Sequence, residues 1–324
     1  MKVSVVILNY NGWDDTSHCL GSVVASAYKP YSIILVDNAS KENYCGEIHK
    51  NFPDVHIHRN ASNRGFAGGS NDGIRFALQQ GAEAVFLLNN DAIISDAAIS
   101  IVSDEMERNV DWGIIGPIIN YMDEPSVIRS SGCIFNPPGN GYFFIEQPIL
   151  PTLGDVSIIP TNIVNGCAMV IKREVFEKIG LLDESYFIVH EESDFCLRAL
   201  KSGFNNGIID KVLVWHKGSS SFKREGKEYQ RYYDARNLFR LLRSHGQYNG
   251  RSRVESYVRY FRYIYYCYCH EIETKNIASA TACIEGLVDA LVGRKNLRHK
   301  RPVFIIPTFF RMFYDCTRWF NSLN

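Results

Sequence analysis

Up to Tyr121 the chain alternates short apolar runs with stretches whose apolar residues recur at helical spacing. Val3–Tyr10 ("VSVVILNY"), Ser32–Asn38 ("SIILVDN"), "VHIHRN" and "AVFLLNND" read as strands. "DDTSHCLGSVVAS", "KENYCGEIHKNF", "AGGSNDGIRFALQQG" and "SDAAISIVSDEMERN" read as helices. Continuous apolar strands alternating with amphipathic helices predict a parallel sheet covered on both faces. From Trp112 to about Gly218 the pattern changes to strand-like runs joined by Pro, Gly and Asn, interrupted by two short helices, "REVFEKIG" and "EESDFCLRALKSG". A mixed continuation of the first sheet is expected there. Beyond Gly226 the pattern is helical.

In sheets of this kind ligands bind beyond the carboxyl ends of the strands. Polar residues gather at four such ends in succession: Asn9-Tyr10-Asn11, Asp37-Asn38, Asn60 to Arg64, and Asn89-Asn90-Asp91. The fourth is the most pointed. An apolar strand runs into two asparagines and an aspartate, and "AII" then resumes the apolar run. Ser95 or Asp96 is placed to cap the following helix, which frees Asp91 from that duty. A hard divalent cation, Mg²⁺ or Mn²⁺, takes one or two carboxylates and completes its shell with phosphate oxygens. Asp91 suits that role, and the amides of Asn89 and Asn90 suit a sugar or ribose.

Other candidates are weaker one by one. Asp37 accepts hydrogen bonds, from a pyrimidine N3–H or from the helix that it precedes, and Tyr10 offers a ring for stacking. "NRGFAGGSNDG" (Asn63–Gly73) sets Gly65, Gly69 and Asn71 ahead of a helix, as close approach to a phosphate requires, with Arg64 as a planar cation. "HEESDFCLR" opens a helix with Glu191, Glu192 and Asp194. The helix dipole favours acids there, and a base that deprotonates a hydroxyl is also a carboxylate or histidine. His216 ends the strand in "VWHKGSSS".

Composition narrows the picture. Hydrophobic content of 46% and charged content of 22% are those of a globular protein. The 35 basic and 35 acidic residues cancel overall. From Lys223 to Asn324, however, 19 are basic and 9 acidic. The body is therefore acidic and the tail basic. The nine cysteines include no CxxC pair, so reduced thiols are expected. No signal peptide or span-length apolar run is seen, so the protein is expected in the cytoplasm.

Taken in order, "VSVVILNYNG", "ILVDNAS", "NRGFAGGSNDGI", "FLLNND", "VNGCAMVIKREVFEKIGLLDE", "EESDFCLRA" and "VWHKGSSS" make the chain resemble a family 2 glycosyltransferase of the GT-A fold, near bacterial rhamnosyltransferase-like enzymes of surface polysaccharide assembly. The resemblance spans Val3 to Ser221. It implies an α/β catalytic domain over residues 1–225, with a mostly parallel mixed sheet flanked by helices. Its nucleotide-binding half covers about 1–121 and its acceptor half about 122–225. A helical, basic-aromatic region follows over 226–324. It further implies inverting, metal-dependent transfer from a nucleotide-diphosphate sugar, dTDP-rhamnose or else a UDP-hexose, to a glycan or lipid-linked acceptor hydroxyl.

By the same resemblance, Tyr10 and Asp37 hold the base, with Asn9 and Asn11 beside them, and Arg64 lies near the pyrophosphate. Asn90 lies near the ribose, Asp91 ligates Mg²⁺ or Mn²⁺, Glu192 is the base, and His216 contacts metal or pyrophosphate. Two departures stand out: Asn89 replaces the first Asp of the family's DxD motif, and Glu192 replaces the usual Asp, leaving Glu191 as a rival. No nucleic-acid partner is expected, and an oligomer is compatible with the sequence. The basic, aromatic tail predicts peripheral contact with anionic lipid at the cytoplasmic face of the inner membrane.

A dehydrogenase would want GxGxxG after the first strand, where "NYNGWDD" stands. A sugar nucleotidyltransferase would want a Gly-rich, Arg-containing loop and a Pro-Lys there. A catalytically weak nucleotide-sugar-binding scaffold is the alternative that Asn89 and Glu192 keep open.

Overall fold

The computed structural model describes residues 1–136, 143–218, 226–246, 250–294 and 298. Two compact units are present: Met1–Asn136 with Gly141–Ser221, and Pro137–Asn140 with Phe222–Asn324.

The first unit is built on a ten-stranded sheet. Strands β1 (Val3–Asn9), β2 (Ser32–Asp37), β3 (Val55–Arg59) and β4 (Ala84–Asn89) are the four apolar runs, paired in parallel in the order β3-β2-β1-β4. β5 (Ala92–Ile94) is the resumed "AII" run. The later segments supply β6 (Trp112–Tyr121), β7 (Ile128–Ser130), β10 (Ile158–Pro160), β11 (Ala168–Lys172) and β12 (Asn205–His216). β11 is antiparallel to both β4 and β6, and β12 is parallel to β6. A small separate sheet pairs β8 (Cys133–Phe135) with β9 (Phe144–Glu146).

Helices α1 (Trp13–Ala25), α2 (Cys45–Asn51), α3 (Gly65–Gln79), α4 (Ala98–Arg108), α5 (Arg173–Ile179) and α6 (Glu191–Lys201) complete this unit. Alternation along each strand divides the core. Val5, Ile7, Leu35, Phe86 and Leu88 pack on one face of the sheet, and Val6, Ile34, Val36, Val85 and Leu87 on the other. Each such side chain contributes about 1.5–3 kcal/mol of burial, so a one-residue slip in register would forfeit both faces together.

Register then levels the strand ends. Asn9 lies opposite Asp37, Leu8 opposite Asn89, and Tyr121 opposite His216, so the carboxyl ends of β1, β2, β4, β6 and β12 share one edge. α1 starts at Trp13 with Gly12 as N-cap, and Thr16 Oγ1 donates to the Gly12 carbonyl at 2.8 Å. One capping expectation is corrected. α4 has Ala97 at its N-cap and no side-chain cap, so neither Ser95 nor Asp96 serves.

The second unit contains helices α7 (Lys227–His245), α8 (Gly250–Glu273) and α9 (Ile277–Leu291). Its interior is partly polar: Tyr232 donates to Asp289 at 2.7 Å, and Glu271, fully buried, receives Arg231 at 2.7 Å and Lys227 at 2.8 Å. None of the helices among the described residues is long and apolar enough to cross a membrane. The eight described cysteines are free thiols. Most of the basic cluster and aromatic run from Arg294 to Phe320, and Ser219–Ser221 of the "HKGSSS" stretch, lie outside the described residues.

Candidate active site

The leveled strand ends carry a knot of amides. Asn9 donates to Asp37 Oδ1 at 3.3 Å and to Ser40 Oγ at 3.2 Å, while its Oδ1 accepts Gly12 N–H and the Thr16 hydroxyl. Asn90 donates to Thr16 Oγ1 at 2.9 Å and to the Gly12 carbonyl at 3.2 Å. Both amides are buried and bind β1, β4 and the start of α1 into one frame. Asp37 is buried as well. Its Oδ1 takes Ser40 N–H and the Ser40 hydroxyl, and its Oδ2 pairs with Arg59 at 3.1 Å. That pairing follows from register, because Arg59 lies opposite Asp37 on β3. Oδ2 retains capacity for one more donor. Asn11 takes a positive φ of 54° and accepts Lys41 N–H, which turns the chain away after the half-buried Tyr10.

At the end of β4, Asp91 and His216 meet. Both are buried, and His216 Nε2 lies 2.9 Å from Asp91 Oδ1. Asn89 Nδ2 is 3.4 Å from the same ring nitrogen. β5 causes the meeting. The chain turns at Asn90-Asp91 and runs back antiparallel to β12, which sets Ala92 opposite His216. The separation suits a shared cation, since adjacent donors on an octahedral ion at about 2.1 Å lie about 3 Å apart. The described residues hold no group of three or more His, Cys, Asp or Glu placed for a metal. One carboxylate and one imidazole alone would leave most positions of a divalent ion to phosphate oxygens and water.

Glu191 and Glu192 open α6 after an unusual approach. Phe187 has φ 66° and ψ −61°, and Ile188 N–H reaches the Tyr186 carbonyl at 2.8 Å, a strained γ-turn. Val189 and His190 also have positive φ, and the His190 ring stacks on Phe144 at 5.0 Å. Glu192 lies over the start of β11: a Cβ on Gly166 would stand 3.2 Å from Glu192 Cβ. Cys167, the next residue, accepts Asn89 N–H at 2.8 Å, so Glu192 belongs to the same sheet edge as Asp91. Glu191 is buried, and its Oε2 has no hydrogen-bond partner. Burial, and then the charge of Glu192, hold its carboxyl well above the ordinary range. Asp194 instead pairs with Arg198 at 2.8 Å.

The glycine-rich stretch makes its contacts with the protein's own chain. Arg64 is bound by Asp72 and by Glu184, the latter at 2.7 Å. A phosphate at Arg64 would have to displace one of these carboxylates. Asn71 spans to Leu182, donating to its carbonyl at 2.9 Å and accepting its N–H at 3.1 Å. Gly65, at φ +71°, leaves no room for a Cβ beside the Phe187 ring, and a Cβ on Gly69 would meet Leu8 Cδ1 at 2.5 Å. The sequence pattern pointed to a phosphate, whereas the partner in the structure is the segment that leads into Glu191.

This architecture is that of GT-A-like nucleotide-sugar glycosyltransferases. It superposes on GalNAc-T7, solved with UDP, GalNAc and Mn²⁺, with a TM-score of 0.57 and 17% identity over 74% of this chain and 51% of that one, about half its length. A mannosyltransferase of Pyrobaculum calidifontis, solved with GDP-Man and Mn²⁺, gives a TM-score of 0.53 at 12% identity, covering 90% of this chain and 88% of that one. The chain belongs to glycosyl transferase family 2, whose family model matches residues 4–180. It is 30% identical to a low-salt glycan biosynthesis hexosyltransferase of Haloferax volcanii, over 73% of this chain and 74% of that one. It is 31% identical to a dTDP-rhamnosyl transferase of Shigella flexneri, over 65% and 70%.

Proposed function

We propose that the protein transfers rhamnose from dTDP-rhamnose, with inversion, to a hydroxyl of a glycan or lipid-linked saccharide in surface polysaccharide assembly. The observation that carries this reading is the convergence of Asp91 and His216, 2.9 Å apart, on the sheet edge that also carries Glu192. The likeness to the Shigella flexneri enzyme supports the donor, the Haloferax volcanii hexosyltransferase supports transfer of a hexose, and a UDP-hexose is the second reading.

Asp91 and His216 would hold Mg²⁺ or Mn²⁺, which when bound supplies positive charge to the donor diphosphate. Asp37 Oδ2 and the Tyr10 ring receive the base of the donor, on a frame kept rigid by Asn9 and Asn90. Glu192, half-buried in the first turn of α6, takes the proton of the acceptor hydroxyl as that oxygen attacks the anomeric carbon. The bond from that carbon to the diphosphate breaks on the opposite side, so one displacement inverts the centre. Glu191, buried and with its carboxyl pushed up by burial and then by the charge of Glu192, leaves the role to its neighbour.

Peripheral contact with anionic lipid fits the second unit, where Tyr265, Tyr266 and Ile272 of α8 are exposed alongside Arg253 and Arg262. The direct test of the reaction is a panel of dTDP-, UDP- and GDP-sugars offered with Mg²⁺ or Mn²⁺ and read by nucleoside diphosphate release. Release above background from dTDP-rhamnose alone is the expected result. Release from a UDP-hexose alone would move the donor to the second reading.

A further inference from the structure

Arg129 lies on β7, which returns antiparallel along the end of β6. Its guanidinium sits 5.2 Å from the ring centroid of Tyr121, the residue opposite His216. On another side the backbone closes in at Gly218, two residues past His216. A Cβ there would come within 2.5 Å of Arg129 Nη1, and φ is +75°. The chain after His216 is thus shaped around the guanidinium.

Among the described residues no carboxylate forms an ion pair with Arg129, in contrast to Arg64, Arg59 and Arg198. Its charge nevertheless reaches both ends of the site. Burial and then the charge of Asp91 push the Cys167 thiol up, with Arg129 opposing them, and burial pushes the Glu146 carboxyl on β9 up, with Arg129 again opposing it. Cys133, paired with Glu146 across the small sheet, is influenced by Glu192 in turn.

A planar cation stacked on an aromatic ring and pinned by a glycine backbone is pre-organised for an oxyanion with two acceptor oxygens. The reaction assigned above produces such an anion at this edge. Asn89 contributes no charge there, and one divalent cation does not neutralise a departing nucleoside diphosphate. We propose that Arg129 binds the terminal phosphate of the donor's diphosphate and stabilises it as it leaves. The acceptor oxygen bonds to the anomeric carbon, and the carbon–oxygen bond to that phosphate breaks with its electron pair going to the phosphate oxygen. The acceptor proton goes to Glu192, while Arg129 donates hydrogen bonds and gives up no proton.

The inference rests on the nucleotide-sugar reading, and calorimetry on the full chain separates the two. The probes are dTDP, UDP, dTMP and UMP, offered to the wild type, Arg129→Gln and Arg129→Lys in the presence of Mn²⁺. Wild type should prefer the diphosphates. Arg129→Gln should lose roughly tenfold or more on the diphosphates and little on the monophosphates, and Arg129→Lys should lose less. Should Arg129→Gln melt early, Arg129→Lys decides, because it keeps the charge and loses only the fork. Unchanged diphosphate affinity in a folded variant overturns the proposal. So does an equal loss on mono- and diphosphates, or a loss confined to the acceptor KM, which would place a phosphate of the acceptor at this residue. If the wild type binds none of the four probes, the dTDP-sugar and UDP-sugar readings both fail.

Discussion

Asp91 and His216 are 125 residues apart in the chain and 2.9 Å apart in the structure, both buried, at the end of the strand that precedes the chain's turn into β5. Neither is the N-cap of a helix of the first unit. Asp91→Asn keeps the shape and removes the charge. Transfer should fall by about 10²-fold or more, with donor binding weakened and the melting temperature little changed. Wild-type turnover from a folded Asp91→Asn protein would end the metal assignment.

Glu192→Gln keeps size and hydrogen bonding while removing basicity. kcat should drop about 10²-fold or more with donor affinity nearly constant, whereas Glu191→Gln should leave kcat within about an order of magnitude. Steady-state kinetics on both variants decides the register: the reverse pattern assigns the proton transfer to Glu191.

The buried Glu191 carboxyl predicts a pH dependence of stability. Its native value is raised above the ordinary 4.5 by burial first and by the charge of Glu192 second. Between 4.5 and the raised value the native state therefore binds more protons than the unfolded chain, and stability falls as pH rises through that window. The contribution is complete below the window and absent above it. Thermal unfolding from about pH 5 to about pH 8 should show this decline in the wild type and a flatter profile in Glu191→Gln. Parallel profiles would show that Glu191 is ionised at neutral pH.

The exposed aromatics of α8 predict salt-sensitive lipid binding. Full-length protein should float with anionic liposomes at low salt and be released at high salt, because each basic residue near such a surface contributes on the order of 1 kcal/mol and is screened. Truncation near Gly246 should abolish flotation. Protein that stays with the soluble fraction at low salt would assign this face to packing or self-association.

The sheet was legible because its signals are local. β1, β2 and β4 are nearly continuous apolar runs, each covering helix has its own periodicity, and the four polar strand ends lie where register later levels them. The partners of the polar residues were not legible, because a carboxylate at a strand end reads the same whether it faces a cation, a base or a neighbouring strand. Asp37 shows this, since its ion pair with Arg59 depends on the pairing of β2 with β3. Arg129, in the plain stretch "VIRSSG", carries no pattern of its own and gains meaning from the return of β7 along β6. Arg64 and Asn71 show the same limit from the other side. Their glycine-rich surroundings suggest a phosphate, and the residues that claim them lie more than a hundred positions further on.

The joint between α3 and the 182–190 segment bears on how this enzyme can be recombined. Gly65 admits the Phe187 ring, Asn71 grips Leu182 through two hydrogen bonds, and Arg64 and Arg75 both hold Glu184. A chimera that imports β6 and everything after it from a relative would cut through every one of these contacts. It would then meet a helix shaped for a different loop. Residues 64–75 and 182–190 form one inheritable cassette. Exchanges that move them together keep the approach to Glu192 intact, and those that divide them start from a displaced Glu192, whatever donor or acceptor the parent enzymes accept.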